Sequence, residues 1–122
     1  MEAYSVVEAY RLCKEEKCVI LDVRTRSEFA EKYPDVPTVY PIFEKELKER
    51  WITLPVNVKI LIFDTDGEKA NRIAIFLNGL EFDVDFIVGG MKEWELKELP
   101  VLSLDEKCLQ NSTCKCSCGR ND

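Results

Sequence analysis

The densest set of reactive side chains in this chain is an acidic loop that follows a short apolar run. The loop residues are Asp64, Thr65, Asp66, Gly67, Glu68 and Lys69. Carboxylates in such a loop can accept hydrogen bonds from backbone N–H groups, attack a phosphate as nucleophiles, or coordinate a divalent cation. These three chemistries place different demands on the elements around the loop.

A buried strand and a helix are predicted on either side of the acidic loop. Lys59–Phe63 is a β-branched and aromatic run that fits a strand buried on both faces. From Lys69 onward apolar residues recur at roughly helical spacing, and Asn78-Gly79 supplies a C-terminal stop signal. In open α/β sheets, a loop between a strand and the following helix is the usual place for a site.

Asp22 and Arg24 form a second set of polar side chains at a predicted strand end. They follow a buried strand that begins at Cys18, and alternate residues of a strand lie on one face. Two interpretations are open for the pair. The one we favour is a structural ion pair that ties the strand end to a nearby loop, and the other is a catalytic role. Thr25 or Ser27 can cap the short helix that follows.

Four of the six cysteines lie near the C-terminus, at Cys108, Cys114, Cys116 and Cys118. Four thiolates can hold zinc or an iron–sulfur cluster, and soft Cu(I) also suits them. Two other interpretations stay open: a tail cysteine that carries sulfur, and a reduced tail without a ligand. Cys13 lies on an apolar helical stripe and Cys18 begins a buried strand, so both are predicted to pack in the core.

The rest of the chain alternates between helix-like and strand-like segments. A capping box at Ser5–Glu8 opens the first helix. Further helices are predicted at Glu28–Lys32, Phe43–Trp51 and Met91–Leu99, and further strands at Thr38–Tyr40 and Asp83–Val88. This alternation is typical of parallel βα units and predicts an α/β fold.

Composition narrows the function classes. A net charge of −6 argues against nucleic acid or an anionic membrane as a partner. The chain contains no histidine, which excludes Cys–His and Ser–His catalysis. No apolar run approaches the roughly 20 residues of a membrane span, and the acidic N-terminal segment does not resemble a signal peptide. We therefore expect a cytoplasmic protein.

Domain organisation follows from length and composition. A chain of 122 residues is expected to form one domain, and 46% hydrophobic residues can build a core. Composition shifts at Ser103, after which little apolar content remains. We predict a folded domain over residues 1–102 and a cysteine-rich tail over residues 103–122.

Three separate segments resemble the rhodanese-like domain family. Val19–Phe29 looks like its strand-end motif, Ile60–Ala70 like its strand and active-site loop, and Phe86–Val101 like its closing strand, glycine pair and tryptophan helix. The resemblance covers about residues 4–101. It implies a five-stranded, mostly parallel sheet flanked by helices on both faces.

The resemblance also implies a chemistry for the acidic loop. Sulfurtransferases of the family carry a C-x-x-G-x-R loop whose cysteine accepts a sulfane sulfur as a persulfide, while loop N–H groups and the arginine stabilise the anion. Here Gly67 is retained, Lys69 stands at the arginine position, and Asp64 stands where the cysteine is expected. A carboxylate cannot carry a persulfide, and Asp66 and Glu68 oppose the binding of a second anion.

We therefore expect a rhodanese-like domain that lacks the usual persulfide-forming cysteine and acts as a binding or regulatory module in sulfur metabolism. Such a domain needs no cofactor, and its partner is a protein or a sulfur-containing small molecule. The alternative is a sulfurtransferase or sulfur carrier that uses the tail cysteines.

Three interpretations of the acidic loop itself stay open. Ile60–Gly67 also resembles the nucleophile motif of haloacid-dehalogenase-type phosphatases, in which Asp64 would attack a phosphate. A weak divalent-cation loop is the second interpretation, although the segment is too short for a calcium-binding EF-hand loop. In the third, which we favour, Asp64 and Asp66 accept hydrogen bonds from N–H groups of the loop and of the first helical turn.

Overall fold

The strand Lys59–Phe63 forms the middle of a five-stranded sheet in the computed structural model, which describes residues 2–104. The strands are β1 (Ala3–Tyr4), β2 (Cys18–Asp22), β3 (Tyr33–Pro34), β4 (Val39–Pro41), β5 (Lys59–Phe63), β6 (Val84–Ile87) and β7 (Val101–Leu102). The α-helices are α1 (Val6–Lys14), α2 (Arg26–Glu31), α3 (Leu47–Arg50), α4 (Ala70–Gly79) and α5 (Gly90–Leu96). None of the helices in this part of the chain is long and apolar enough to cross a membrane.

The main sheet has the strand order β1-β6-β5-β2-β4, and every neighbouring pair in it is parallel. The short strands β3 and β7 pair antiparallel in a separate two-stranded sheet. The predicted α/β architecture with a five-stranded parallel sheet is confirmed.

Alternation along β5 explains why helices cover both faces of the sheet. Ile60 and Ile62 face a core shared with α3 and α4, whereas Leu61 and Phe63 face a core shared with α1 and α5. Trp94 of α5 is fully buried in the second core, with its ring centroid 5.5 Å from that of Phe63. A parallel sheet covered on both faces requires such continuous apolar strands.

The helix starts follow the capping signals of the sequence. The Ser5 hydroxyl accepts a hydrogen bond from the Glu8 N–H at 3.1 Å. Thr25 is the N-cap of α2 and forms a complete capping box with Glu28. The helix begins at Arg26, two residues earlier than predicted, because this capping box fixes its first turn.

The single helix predicted at Phe43–Trp51 is wrong. The segment consists of two 3₁₀ turns, Glu44–Glu46 and Trp51–Thr53, on either side of the short helix α3. Leu47 is buried in the core beneath it, and Trp51 packs edge-to-face on Phe82 with ring centroids 6.1 Å apart. The need to bury these two side chains in a short connection takes precedence over a regular helix.

Candidate functional site

The acidic loop lies at the carboxyl end of the central strand, between β5 and α4. The connection from β2 leads to β4 on one side, and the connection from β5 leads to β6 on the other. Adjacent strands whose connections diverge leave a crevice at their carboxyl ends, which is where open α/β sheets bind ligands. A cavity of about 150 Å³ occupies this crevice and is lined by Val23, Arg24, Thr25, Glu28, Phe43, Asp64, Thr65, Asp66 and Lys69.

Asp64 turns its carboxylate back onto the backbone of its own loop. Its Oδ1 accepts a hydrogen bond from the Gly67 N–H at 2.6 Å, and its Oδ2 accepts one from the Lys69 N–H at 2.8 Å. The residue is only 3% exposed. The Asp66 carboxylate accepts a hydrogen bond from the Glu68 N–H at 3.1 Å but is exposed to solvent. Both aspartates therefore accept the loop hydrogen bonds that were predicted for them.

Glycines hold the loop backbone against the turn that follows β6. Gly67 has a φ of +89°, and a Cβ added there would lie 2.6 Å from the Gly89 nitrogen. Gly90 has a φ of +58°, and a Cβ there would lie 2.2 Å from the Asp64 carbonyl oxygen. The same carbonyl accepts a hydrogen bond from the Met91 N–H at 2.9 Å. Only glycine permits this approach of two backbone segments.

Asp22 and Arg24 form a buried ion pair beside the loop. The Arg24 guanidinium donates to the two carboxylate oxygens of Asp22 at 2.9 and 3.0 Å, and its Nη2 also donates to the Lys32 carbonyl at the end of α2. Both side chains are at most 4% exposed. Burial raises the pKa of Asp22 above its ordinary value, although hydrogen bonds and the positive charge of Arg24 offset part of this rise. The Arg24 donors that point at Asp22 and Lys32 are engaged within the protein.

Glu28 joins α2 to the acidic loop, and it is a site residue that was not predicted from the sequence. Its carboxylate accepts hydrogen bonds from the Thr25 N–H at 3.1 Å and from the Thr65 hydroxyl at 3.1 Å. Partial burial raises the pKa of Glu28, but these hydrogen bonds and the nearby Arg24 charge outweigh it and leave the pKa below 4.5. The sequence signal for Glu28 was its capping-box spacing from Thr25. This spacing places Glu28 in the first turn of α2.

The Lys69 ammonium pairs with Glu44 rather than with Asp64. Its Nζ lies 3.5 Å from an oxygen of Glu44, which also pairs with Arg72 at 2.7 Å. Partial burial raises the pKa of Glu44, but the hydrogen bond and charge of Arg72, together with Lys69, bring it below its ordinary value. The structure thus brings the loop backbone and Asp64 together, while the Lys69 ammonium contacts a different carboxylate.

The two cysteines among residues 2–104 lie away from this crevice. Cys18 begins β2 and so occupies the opposite end of the strand from Asp22. Cys13 is buried in α1, and burial raises its thiol pKa to about 12. Burial also raises the pKa of Cys18. Both residues pack in the core as predicted, and neither is a thiolate nucleophile at neutral pH.

No group of three or more His, Cys, Asp or Glu residues within residues 2–104 is placed to hold a metal ion. The predicted metal ligands Cys108, Cys114, Cys116 and Cys118 lie outside the described residues. The crevice carries more carboxylates than cations, since Glu28, Asp64 and Asp66 line it together with Arg24 and Lys69.

Comparison with solved structures finds the same fold in rhodanese-related and rhodanese-like proteins. A rhodanese-related protein from Thermoplasma volcanium superposes with a TM-score of 0.75, at 22% identity over 84% of this chain and 98% of that one. A rhodanese-like domain protein from Staphylococcus aureus gives a TM-score of 0.72, at 24% identity over 84% of this chain and all of that one. An NAD-dependent persulfide reductase from A. fulgidus gives a TM-score of 0.64, at 29% identity over 77% of this chain but only 16% of that protein.

Comparison of sequences gives a family assignment. No curated protein matches the chain significantly. The model of the rhodanese-like domain family matches residues 5–97, which is about three quarters of the sequence and includes the acidic loop, the Asp22–Arg24 pair and the Gly89-Gly90 turn. The chain therefore belongs to the rhodanese-like domain family.

Proposed function

We propose that Asp64 stands at the position of the persulfide-forming cysteine, and that this domain is a binding or regulatory module in sulfur metabolism rather than a sulfurtransferase. The observation that carries the proposal is the pair of hydrogen bonds from the Gly67 and Lys69 N–H groups to the Asp64 carboxylate. A built-in carboxylate thus takes up donors that would otherwise stabilise a bound anion.

The chemistry of sulfur transfer supports this proposal. Formation of a persulfide requires a thiolate that attacks a sulfane sulfur, and an aspartate carboxylate has no sulfur with which to form that bond. A second anion in the crevice would also meet Asp66 and Glu28. The Lys69 ammonium contributes little to offset these charges, because it pairs with Glu44.

The similarity to a persulfide reductase supports a role in sulfur metabolism. The matched segment is a small part of that enzyme, so a domain of this fold occurs there alongside other parts of a longer chain. In such a setting, a domain of this fold can bind a partner protein or a sulfur-containing molecule without performing sulfur transfer itself.

The aspartate-nucleophile alternative receives less support from the site. Attack on a phosphate requires a carboxylate oxygen that is free to approach phosphorus, whereas both Asp64 oxygens accept backbone hydrogen bonds and the residue is 3% exposed.

The test is sulfur transfer from thiosulfate to cyanide, followed as thiocyanate, with the intact mass of the reduced protein measured before and after thiosulfate. The full-length protein should form no thiocyanate and gain no sulfur. Asp64→Cys should gain one sulfur atom, because the loop N–H groups are then available to the persulfide. Asp66→Cys is the matched control, since it adds a thiol two residues away and should not reproduce the effect.

Thiocyanate formation by the unmodified protein would overturn the proposal. A variant in which Cys114, Cys116 and Cys118 are all serine would then identify the source. Loss of transfer in that variant would establish the alternative in which tail cysteines carry the sulfur.

A further inference from the structure

A second cavity lies between α3 and α4, on the other side of the Glu44 ion pairs from the acidic loop. Its volume is about 270 Å³, and it is lined by Glu44, Leu47, Lys48, Arg72, Ile73 and Phe76. Leu47 and Ile73 are each only 3% exposed, so the apolar core reaches the cavity directly. None of these side chains lies in the three segments that resemble the rhodanese-like domain family.

Apolar surface continues from this cavity along α4. Phe76 is 39% exposed and Ile75 is 57% exposed, so both large apolar side chains present surface to solvent. Arg72, Ile75 and Phe76 lie three and four residues apart, so they form one continuous strip of the helix surface. We call the cavity lining together with Ile75 the α3–α4 surface.

The α3–α4 surface carries one more cation than carboxylate, since Lys48 and Arg72 line it together with Glu44. Glu44 is its one carboxylate and already pairs with Arg72 at 2.7 Å and with Lys69 at 3.5 Å. The ammonium of Lys48 has no ion-pair partner within residues 2–104. This excess of cations stands on a chain whose net charge is −6. The surface therefore complements an acidic partner rather than another copy of this acidic chain.

We propose that the α3–α4 surface binds a peptide segment of a partner protein that inserts one large apolar side chain into the cavity and presents carboxylates to Lys48 and Arg72. A cavity of about 270 Å³ lies just below the range of roughly 300–1,000 Å³ that is typical of drug-sized ligands. Exposed Ile75 and Phe76 offer contact area beyond the cavity, which a peptide covers and a small anion does not. Apolar anchors flanked by charge are a recurring mode of peptide recognition.

This inference goes beyond the proposed function, because it concerns a different surface from the Asp64 crevice. The two are tested by separate measurements, so thiocyanate formation by the protein would overturn the proposed function and leave peptide binding to be judged on its own.

The probe is an acetylated, amidated octapeptide of sequence Glu-Asp-Glu-Phe-Leu-Glu-Asp-Glu, titrated into the ¹⁵N-labelled full-length chain. We expect saturable chemical-shift changes at the amides of Leu47, Lys48, Ile73 and Phe76. A peptide with alanine in place of Phe-Leu and a peptide with lysine in place of every acid should each bind at least about tenfold more weakly.

Matched variants separate this surface from general charge and hydrophobicity. Lys48→Glu should weaken peptide binding by about threefold to tenfold, because an attractive ion pair becomes repulsive. Lys14→Glu makes the same charge change on α1, across the sheet, and should leave the affinity within about twofold. Phe76→Ala should weaken binding, whereas Val7→Ala, which truncates an exposed apolar side chain on α1, should not.

Three results would overturn the proposal. The first is no saturable shift at millimolar peptide. The second is an equal loss of affinity in Lys48→Glu and Lys14→Glu, which would mean attraction by net charge alone. The third is a dimer in analytical ultracentrifugation that dissociates in Phe76→Ala, which would make a second copy of the chain the occupant.

Discussion

Replacement of Asp64 by asparagine should lower the free energy of unfolding by about 2–3 kcal/mol. The residue is 3% exposed, and its two carboxylate oxygens accept N–H groups of Gly67 and Lys69 at 2.6 and 2.8 Å. An asparagine side chain has nearly the same shape but has one oxygen and one NH₂ group. One of the two backbone N–H groups must then face another donor.

The magnitude follows from these two contacts. A hydrogen bond to a charged group contributes about 1.5–3 kcal/mol, and an unsatisfied buried donor costs about 1–3 kcal/mol. The remaining bond to the amide oxygen keeps part of the stabilisation, and partial access of water to the Lys69 N–H reduces the cost of the lost one. These contributions bring the expected loss to about 2–3 kcal/mol.

Urea denaturation of the full-length protein, followed by Trp fluorescence and circular dichroism, measures this loss. Asp66→Asn is the matched control, because the Asp66 carboxylate accepts one N–H in an exposed position and should cost less than about 1 kcal/mol. Equal unfolding midpoints for Asp64→Asn and the unmodified protein, with unchanged slopes, would refute the role assigned to the Asp64 carboxylate.

Three further perturbations have defined outcomes in the same denaturation assay. Gly90→Ala should destabilise by at least about 2 kcal/mol, because φ is +58° and the added Cβ would lie 2.2 Å from the Asp64 carbonyl oxygen. Arg24→Met should cost about 3–5 kcal/mol, since it leaves the buried Asp22 carboxylate without its cationic partner. Glu28→Gln should reduce stability at pH 7. Because folding holds the pKa of Glu28 below 4.5, this stabilisation is present above pH 4.5 and is lost as pH falls through the folded-state pKa, so the variant and the parent should converge in acid.

Each of these outcomes has a control. Gly79→Ala in α4 has no atom within 4 Å of the added Cβ and should change stability by less than about 1 kcal/mol. Asp22→Asn added to Arg24→Met should recover part of the loss, because it removes the uncompensated charge. A stability difference for Glu28→Gln that persists unchanged at pH 3 would contradict the assignment of Glu28.

The central β5–α4 unit could be predicted from sequence because its signals are local. The apolar run, the turn residues and the helical period all lie within Lys59–Gly79, and the observed α4 begins one residue after the predicted start. The same holds for the loop hydrogen bonds, which join Asp64 to residues three and five positions later.

The two-stranded β3–β7 sheet was not predicted, for a physical reason. Each strand contains only two residues, Tyr33–Pro34 and Val101–Leu102, and a strand of this length is too short to show an alternating pattern. The pairing also joins segments that are far apart in the sequence, with Pro34 opposite Val101, and nothing in either segment specifies the other. The strand β1 also contains only two residues and was not predicted for the same reason.

Side-chain partners across the site depended on packing that the sequence does not encode locally. Glu28 reaches Thr65 because its capping box sets the first turn of α2 beside the loop. Lys69 contacts Glu44, which begins a 3₁₀ turn where a regular helix was predicted. Motif position placed Lys69 in the site, but only the fold determines which carboxylate it meets.

Backbone shape and side-chain chemistry are separable in this loop. Gly67 and Gly90 fix the approach of two backbone segments through positive φ angles and close contacts, and the Met91 N–H bonds to the Asp64 carbonyl whatever the side chain at that position. Asp64 adds stability through its carboxylate but does not create the turn. A single substitution at this position can therefore change the chemistry of the side chain while the surrounding backbone is retained, which is why Asp64→Cys tests chemistry and Gly90→Ala tests structure.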